Sequence, residues 1–180
     1  QCEAGSDATS FIETPANGSA TRAGDVVSAV DIAWLAPGHA TILLDVDYPD
    51  VPTDEGSRLF SLDDGGDSNR HTVYWAEWAQ KLAWYTKAGG TGQGSIAGLT
   101  GGWGGDGARH AIGLRLGGGE RTLYVDGSQH AADSITDPSG FTTLRLGTYH
   151  QTKQQWRGHV RRAVVWNVKL SDADLAAVTG

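Results

Sequence analysis

From about position 26 onward, apolar and polar residues alternate with a period of two, the pattern of short strands that bury one face. Residues 26–34 open a β-rich stretch with Val26, Val27, Val30, Ile32 and Trp34, and residues 39–48 predict a strand closed by Pro49 and Pro52. A short strand follows at 58–62, then the turn Asp63-Asp64-Gly65-Gly66. Residues 71–78 and 81–87 are dense in β-formers and separated by only Ala79 and Gln80, which predicts a hairpin. Further on, the pattern predicts a weak strand at 95–99, strands at 110–116 and 121–126, and last strands at 141–146 and 156–168. Gly117-Gly118-Gly119 and Asp126-Gly127 mark turns between them.

The alternation also assigns faces. In 71–78, His71, Val73, Trp75 and Glu77 share one side, and Thr72, Tyr74, Ala76 and Trp78 the other. In 81–87, Leu82, Trp84 and Thr86 oppose Lys81, Ala83, Tyr85 and Lys87. The sides with Val73, Trp75, Leu82 and Trp84 suit a core; those with Tyr74, Trp78, Tyr85 and Lys87 suit a half-exposed face. Only the end of the chain departs from period two. There Ser171 can cap a short helix over 172–178, with acidic residues in its first turn. Strands separated by turns throughout predict an all-β antiparallel two-sheet sandwich with one short C-terminal helix.

Residues 1–26 read differently. They are rich in Ala, Gly, Ser and Thr, carry Pro15 and Asn17-Gly18, and hold one apolar patch at Phe11-Ile12. This predicts an entry segment or linker, with the folded domain spanning 27–180.

Composition narrows the function. The 180 residues include 26 glycines, as expected for many tight turns. The formal net charge of -7 argues against a nucleic-acid partner, which would want a basic face. No apolar run is long enough for a membrane span. The one cysteine, Cys2, rules out an intrachain disulfide, and the absence of methionine makes the chain read as a piece of a longer protein.

The stretch from Gly158 through Val165-Trp166-Asn167 to Leu170-Ser171-Asp172-Ala173-Asp174-Leu175 resembles the closing signature of laminin-G-like, concanavalin-A-like jelly rolls. Ala108-Arg109-His110 before a strand, and Leu123-Tyr124-Val125-Asp126-Gly127 as a strand followed by an Asp-Gly turn, are similar to the middle of that family. The first segment, with Gln1-Cys2-Glu3-Ala4-Gly5 and Thr21-Arg22-Ala23-Gly24-Asp25-Val26, resembles a linker of tailed-phage and prophage structural proteins, departing from it at Cys2, Glu13 and Gly24. The resemblance implies a jelly-roll fold, a virion appendage such as a tail fibre, and an extracellular or virion-surface location with virion proteins as neighbours.

Catalytic motifs are missing. A retaining glycosidase of this architecture would line carboxylates along one strand, but Asp45 and Asp47 stand without a third partner and read as a solvated strand end. Glu77 and the segment Tyr85-Thr86-Lys87-Ala88-Gly89 are the only support for an enzyme. The expectation is therefore a non-enzyme. Seven tryptophans favour sugar binding, because pyranose faces stack on aromatic rings. The candidate ligand-binding residues are Tyr74, Trp78, Tyr85, Lys87, Trp103 and Trp156. Calcium is a candidate cofactor, with Asp63, Asp64 and Asp67 as its candidate ligands in the densest acidic loop. The leading expectation is a lectin-like module that recognises cell-surface polysaccharide. The alternative is a structural or protein-interaction module of a virion with no sugar ligand.

Overall fold

The computed structural model describes residues 27–29, 32, 34–35, 39–47, 57–76, 81–100, 108–148, 155–156 and 158–180. Eleven strands and one helix follow in order: β1 (Val27–Ala29), β2 (Ala40–Asp47), β3 (Arg58–Asp63), β4 (Arg70–Ala76), β5 (Lys81–Ala88), β6 (Thr91–Thr100), β7 (Arg109–Leu116), β8 (Glu120–Val125), β9 (Ser128–Ser134), β10 (Thr143–Leu146), β11 (His159–Trp166) and α1 (Asp172–Thr179). They form a six-stranded sheet, β1-β10-β3-β4-β5-β6, and a five-stranded sheet, β11-β2-β7-β8-β9. Every strand pairing within the sheets is antiparallel.

The turns explain the hairpins. Gly89-Gly90, between β5 and β6, and Asp126-Gly127, between β8 and β9, both have positive φ at both positions. Such paired left-handed residues match the twist of the flanking strands. The predicted hairpin of β4 and β5 is present, with Thr72 opposite Tyr85 and Val73 opposite Trp84. β9 escaped the sequence reading. It is a sheet edge whose residues are mostly exposed, so it carries no apolar alternation.

The core lies between the sheets. Phe60, Val73, Trp75, Leu82 and Trp84 from the six-stranded sheet meet Ile42, Leu44, Ile112, Leu114 and Leu123 from the other. Within this core the two sheets are also tied by a cation. Arg121 on β8 is fully buried; its Nε and Nη2 donate to the two Asp133 oxygens at 2.7 and 2.9 Å. Its Nη1 crosses to β5, donating to the Trp84 carbonyl at 2.9 Å and to Thr86 Oγ1 at 2.8 Å. A buried guanidinium is tolerated only where its charge is paired and its donors are used, as here.

α1 covers part of the outer face of the five-stranded sheet. Ser171 caps it, its hydroxyl accepting from the Asp174 amide. Leu175 and Thr179 pack so closely over Gly113 of β7 that a Cβ there would sit 2.7 and 2.8 Å from them. The absence of a side chain at Gly113 is what lets the helix lie down on the sheet. The outer face of the six-stranded sheet carries no described helix.

Candidate functional site

On β4, Arg70, Thr72, Tyr74 and Ala76 alternate with the inward His71, Val73 and Trp75, so they face outward. Register places Arg58 of β3 beside Tyr74, Lys87 of β5 beside Arg70, Tyr85 beside Thr72 and Lys81 beside Ala76. One outer face thus gathers four cations and two tyrosines. The Arg58 guanidinium lies 4.4 Å from the Tyr74 ring centre, and that of Arg70 5.3 Å from Tyr85. These are cation–π distances, and such stacking holds an otherwise floppy guanidinium in one plane. Tyr74 Oη reaches Ser95 Oγ of β6 at 3.4 Å. Gly92 passes directly beneath the Tyr85 hydroxyl, where a Cβ would come within 2.6 Å of the oxygen.

Asp67 is the acid of this face. It pairs with Arg70 and with Lys87, whose Nζ is 2.7 Å away. Two cations thus share one carboxylate at this end, on a chain whose formal net charge is -7. Beneath the face, His71 is buried, its Nδ1 accepting from Trp84 Nε1 at 3.2 Å. Burial, with the Arg121 charge added to it, pushes its pKa from 6.5 down to about 3. His71 is therefore a neutral core residue at ordinary pH.

The sequence-predicted residues fare differently. Tyr74, Tyr85 and Lys87 come together on the one face, half-buried as expected. Trp78 and Trp103 lie outside the described residues. Trp156, expected as an exposed ring, is instead 8% exposed and packed into the core cluster. It forms one wall of a cleft of about 430 Å³ between β10 and β11, with Val27, Leu146, His159, Arg161 and Ala163. Arg58 and Arg70 were missed. Arg70 stands in the alternation that marked Tyr74, one residue before the predicted strand start; Arg58 shares the period-two phase of the inward Phe60 and Leu62, and only the register shift between Arg58 and Phe60 brings it opposite Tyr74.

The acidic loop does not fit calcium. Asp63 is fully buried; one oxygen accepts from the Gly65 amide, the other from Ser61 Oγ and Arg145 Nε. Asp64 accepts from Gly66 N, Asn69 N and Asn69 Nδ2. With Asp67 held by Arg70 and Lys87, the three carboxylates are taken up by N–H donors that a cation would have to displace. Among the described residues, no group of three or more His, Cys, Asp or Glu side chains is arranged to hold a metal ion.

Asp45 and Asp47 correct another expectation. They are not a solvated strand end: they are 1% and 6% exposed. Arg109 and Arg162 converge on one Asp45 oxygen at 2.6 and 2.7 Å. His159 and Arg161 bind Asp47. Burial pushes the Asp47 carboxyl up, but the His159 and Arg161 hydrogen bonds outweigh it and leave its pKa below the usual 3.8. A register shift between Val160 and Arg162 lets β11 supply both arginines to this outer face.

No protein-family model matches the sequence, and no curated protein matches it. Solved structures do. The CBM40 of the Ruminococcus gnavus IT-sialidase, solved bound to α2,3-sialyllactose, superposes with a TM-score of 0.65 at 17% identity, over 82% of this chain and 85% of that one. A heptameric SAP-like pentraxin from Limulus polyphemus gives a TM-score of 0.61 at 14% identity, over 80% of this chain and 70% of that one. Domains LG4-5 of the mouse laminin α1 chain give 0.57 at 10% identity, over 83% of this chain and 41% of that one. Strand order, register and these likenesses agree: the chain folds as a laminin-G-like, concanavalin-A-like jelly roll of two antiparallel sheets closed by one short C-terminal helix.

Proposed function

We propose that this domain is a non-catalytic, lectin-like module that binds acidic glycans on the outer face of the six-stranded sheet. The observation that carries the reading is the Arg58–Tyr74 and Arg70–Tyr85 pairing, flanked by Lys81 and Lys87, on a chain that is otherwise acidic. Guanidinium groups held on aromatic rings present their N–H edges to carboxylates, and tyrosine rings and hydroxyls suit sugar rings and their hydroxyls. A local positive face on an acidic body also steers anionic ligands to one place. The sialyllactose bound by the R. gnavus module is an acidic sugar on a similar fold, which supports the same ligand class here. Asp45 and Asp47, the carboxylates at strand spacing, are buried and taken up in ion pairs with exposed cations, which favours binding over hydrolysis.

The setting we propose is extracellular, on a virion appendage, where the ligand would be a bacterial surface polysaccharide. This part rests on the phage-like linker in residues 1–26. No helix among the described residues is long and apolar enough to cross a membrane. A glycan array that includes sialylated, uronic-acid and neutral bacterial polysaccharides tests the function. Binding confined to acidic glycans is expected, and Tyr74→Ala weakens it by about 1–2 kcal/mol, the order of losing an anchoring aromatic, with the fold intact by circular dichroism. Silence across the array leaves the structural or protein-interaction reading in its place.

A further inference from the structure

We infer that the domain grips an internal stretch of an acidic polysaccharide through two subsites, rather than a single terminal sugar. The inference rests on the reading that the outer face of the six-stranded sheet is the glycan site, and it specifies the kind of ligand. The cations and tyrosines of that face are not one cluster. Arg58 stands beside Tyr74 at one end, with Lys81 opposite Ala76 just beyond. Arg70 and Lys87 face one another at the other end, with Arg70 stacked towards Tyr85. The cations run from Lys81, level with Ala76, to Lys87, level with Arg70, a span of about 20 Å along β4 at the usual strand rise, with Tyr74 and Tyr85 at successive outward positions between them. One pyranose with its carboxylate cannot touch both ends; a short run of linked sugars lying along the strand can.

The two ends repeat the same chemistry: an arginine on a tyrosine face with a lysine nearby. A polymer with a charge on successive sugars meets such a repeat in register. At the second end Asp67 pairs with both Arg70 and Lys87, so an acidic ligand there competes with it. Between the two ends, on the same side of β4, lies Thr72, which is buried. Two linked subsites gain from effective concentration, so affinity should climb with ligand length until both are filled and then level off.

The test is a calorimetric length series with oligogalacturonates and α2,8-linked oligosialic acids, from the monosaccharide upward. In at least one series the affinity should rise more than tenfold between the monosaccharide and an oligomer long enough to span the strip, then plateau. Arg58→Gln and Arg70→Gln should each remove the step, bringing the long oligomer down to the affinity of the short one. A domain that binds acidic sugars with no length dependence keeps the proposed function and overturns the two-subsite inference. If neutral oligomers of equal length bind as tightly as acidic ones, the inference also fails, because the cations then do not read the ligand. Loss of all glycan binding on the array refutes the function itself. The series on the unaltered domain decides the matter even where a variant folds poorly.

Discussion

His71 should make the stability of this domain fall in mildly acidic solution. Its ring is 1% exposed, and its Nδ1 accepts hydrogen bonds, which leaves the Nε2 proton buried and without a partner. Adding a second proton would place a cation beside Arg121 in the core. Burial and that neighbouring charge hold the folded pKa near 3, against 6.5 for an ordinary histidine. The unfolded chain therefore takes up a proton below pH 6.5 while the native state does not. The stabilising contribution is fully present above 6.5 and is lost progressively as the pH falls towards 3. With the ordinary and folded values 6.5 and about 3, moving from roughly pH 7.5 to roughly pH 5 should cost about 2 kcal/mol from this residue alone. Asn is the comparison residue, because its Oδ1 can take the place of Nδ1 and accept from Trp84 without titrating. His71→Asn should be less stable at neutral pH, having left a small void, yet should lose about 2 kcal/mol less than the parent between the two pH values. Urea denaturation of both proteins at both pH values gives the difference directly. Parallel losses in parent and variant would refute the argument, since they would mean that His71 protonates as easily in the folded state as outside it.

Val165 lies opposite Ile42 on β11 and packs against the core, so Val165→Asp should lower stability by about 2 kcal/mol or more; an unchanged melting temperature would show the strand phase to be inverted. Gly113→Leu should push α1 off the sheet, costing about 1–3 kcal/mol, with faster amide exchange confined to residues 172–179. Ser171→Ala removes the cap on the Asp174 amide and should cost about 1 kcal/mol by thermal melting; no change would mean that the helix is held by Leu175 alone.

Much of this was legible along the chain. The inward places of Val73, Trp75, Leu82 and Trp84, all at or below 1% exposed, and the outward places of Tyr74, Tyr85 and Lys87 follow from period-two alternation alone. That holds because successive side chains in a strand must point to opposite faces, whatever the strand packs against. The Asp-Gly turn at 126–127 and the Ser171 cap are local in the same way. Each needs only its immediate neighbours, and each stands where the residues put it.

What the sequence could not decide is which distant groups meet. Asp45 and Asp47 look solvated in isolation, yet β11 brings Arg161, Arg162 and His159 onto them from more than 110 residues away. Arg121 reads as an ordinary charged strand residue, and only the stacking of two sheets buries it against Trp84 and Thr86. Trp156 reads along the chain as a candidate binding ring, and only the tertiary fold packs it into the core. The same is true of the proposed glycan face, which joins Arg58, Arg70, Tyr74 and Tyr85 from three strands by their register. Alternation is a property of one strand and is written locally. The identity of a partner across a sheet, or between sheets, depends on strand order and register, which the whole core selects at once.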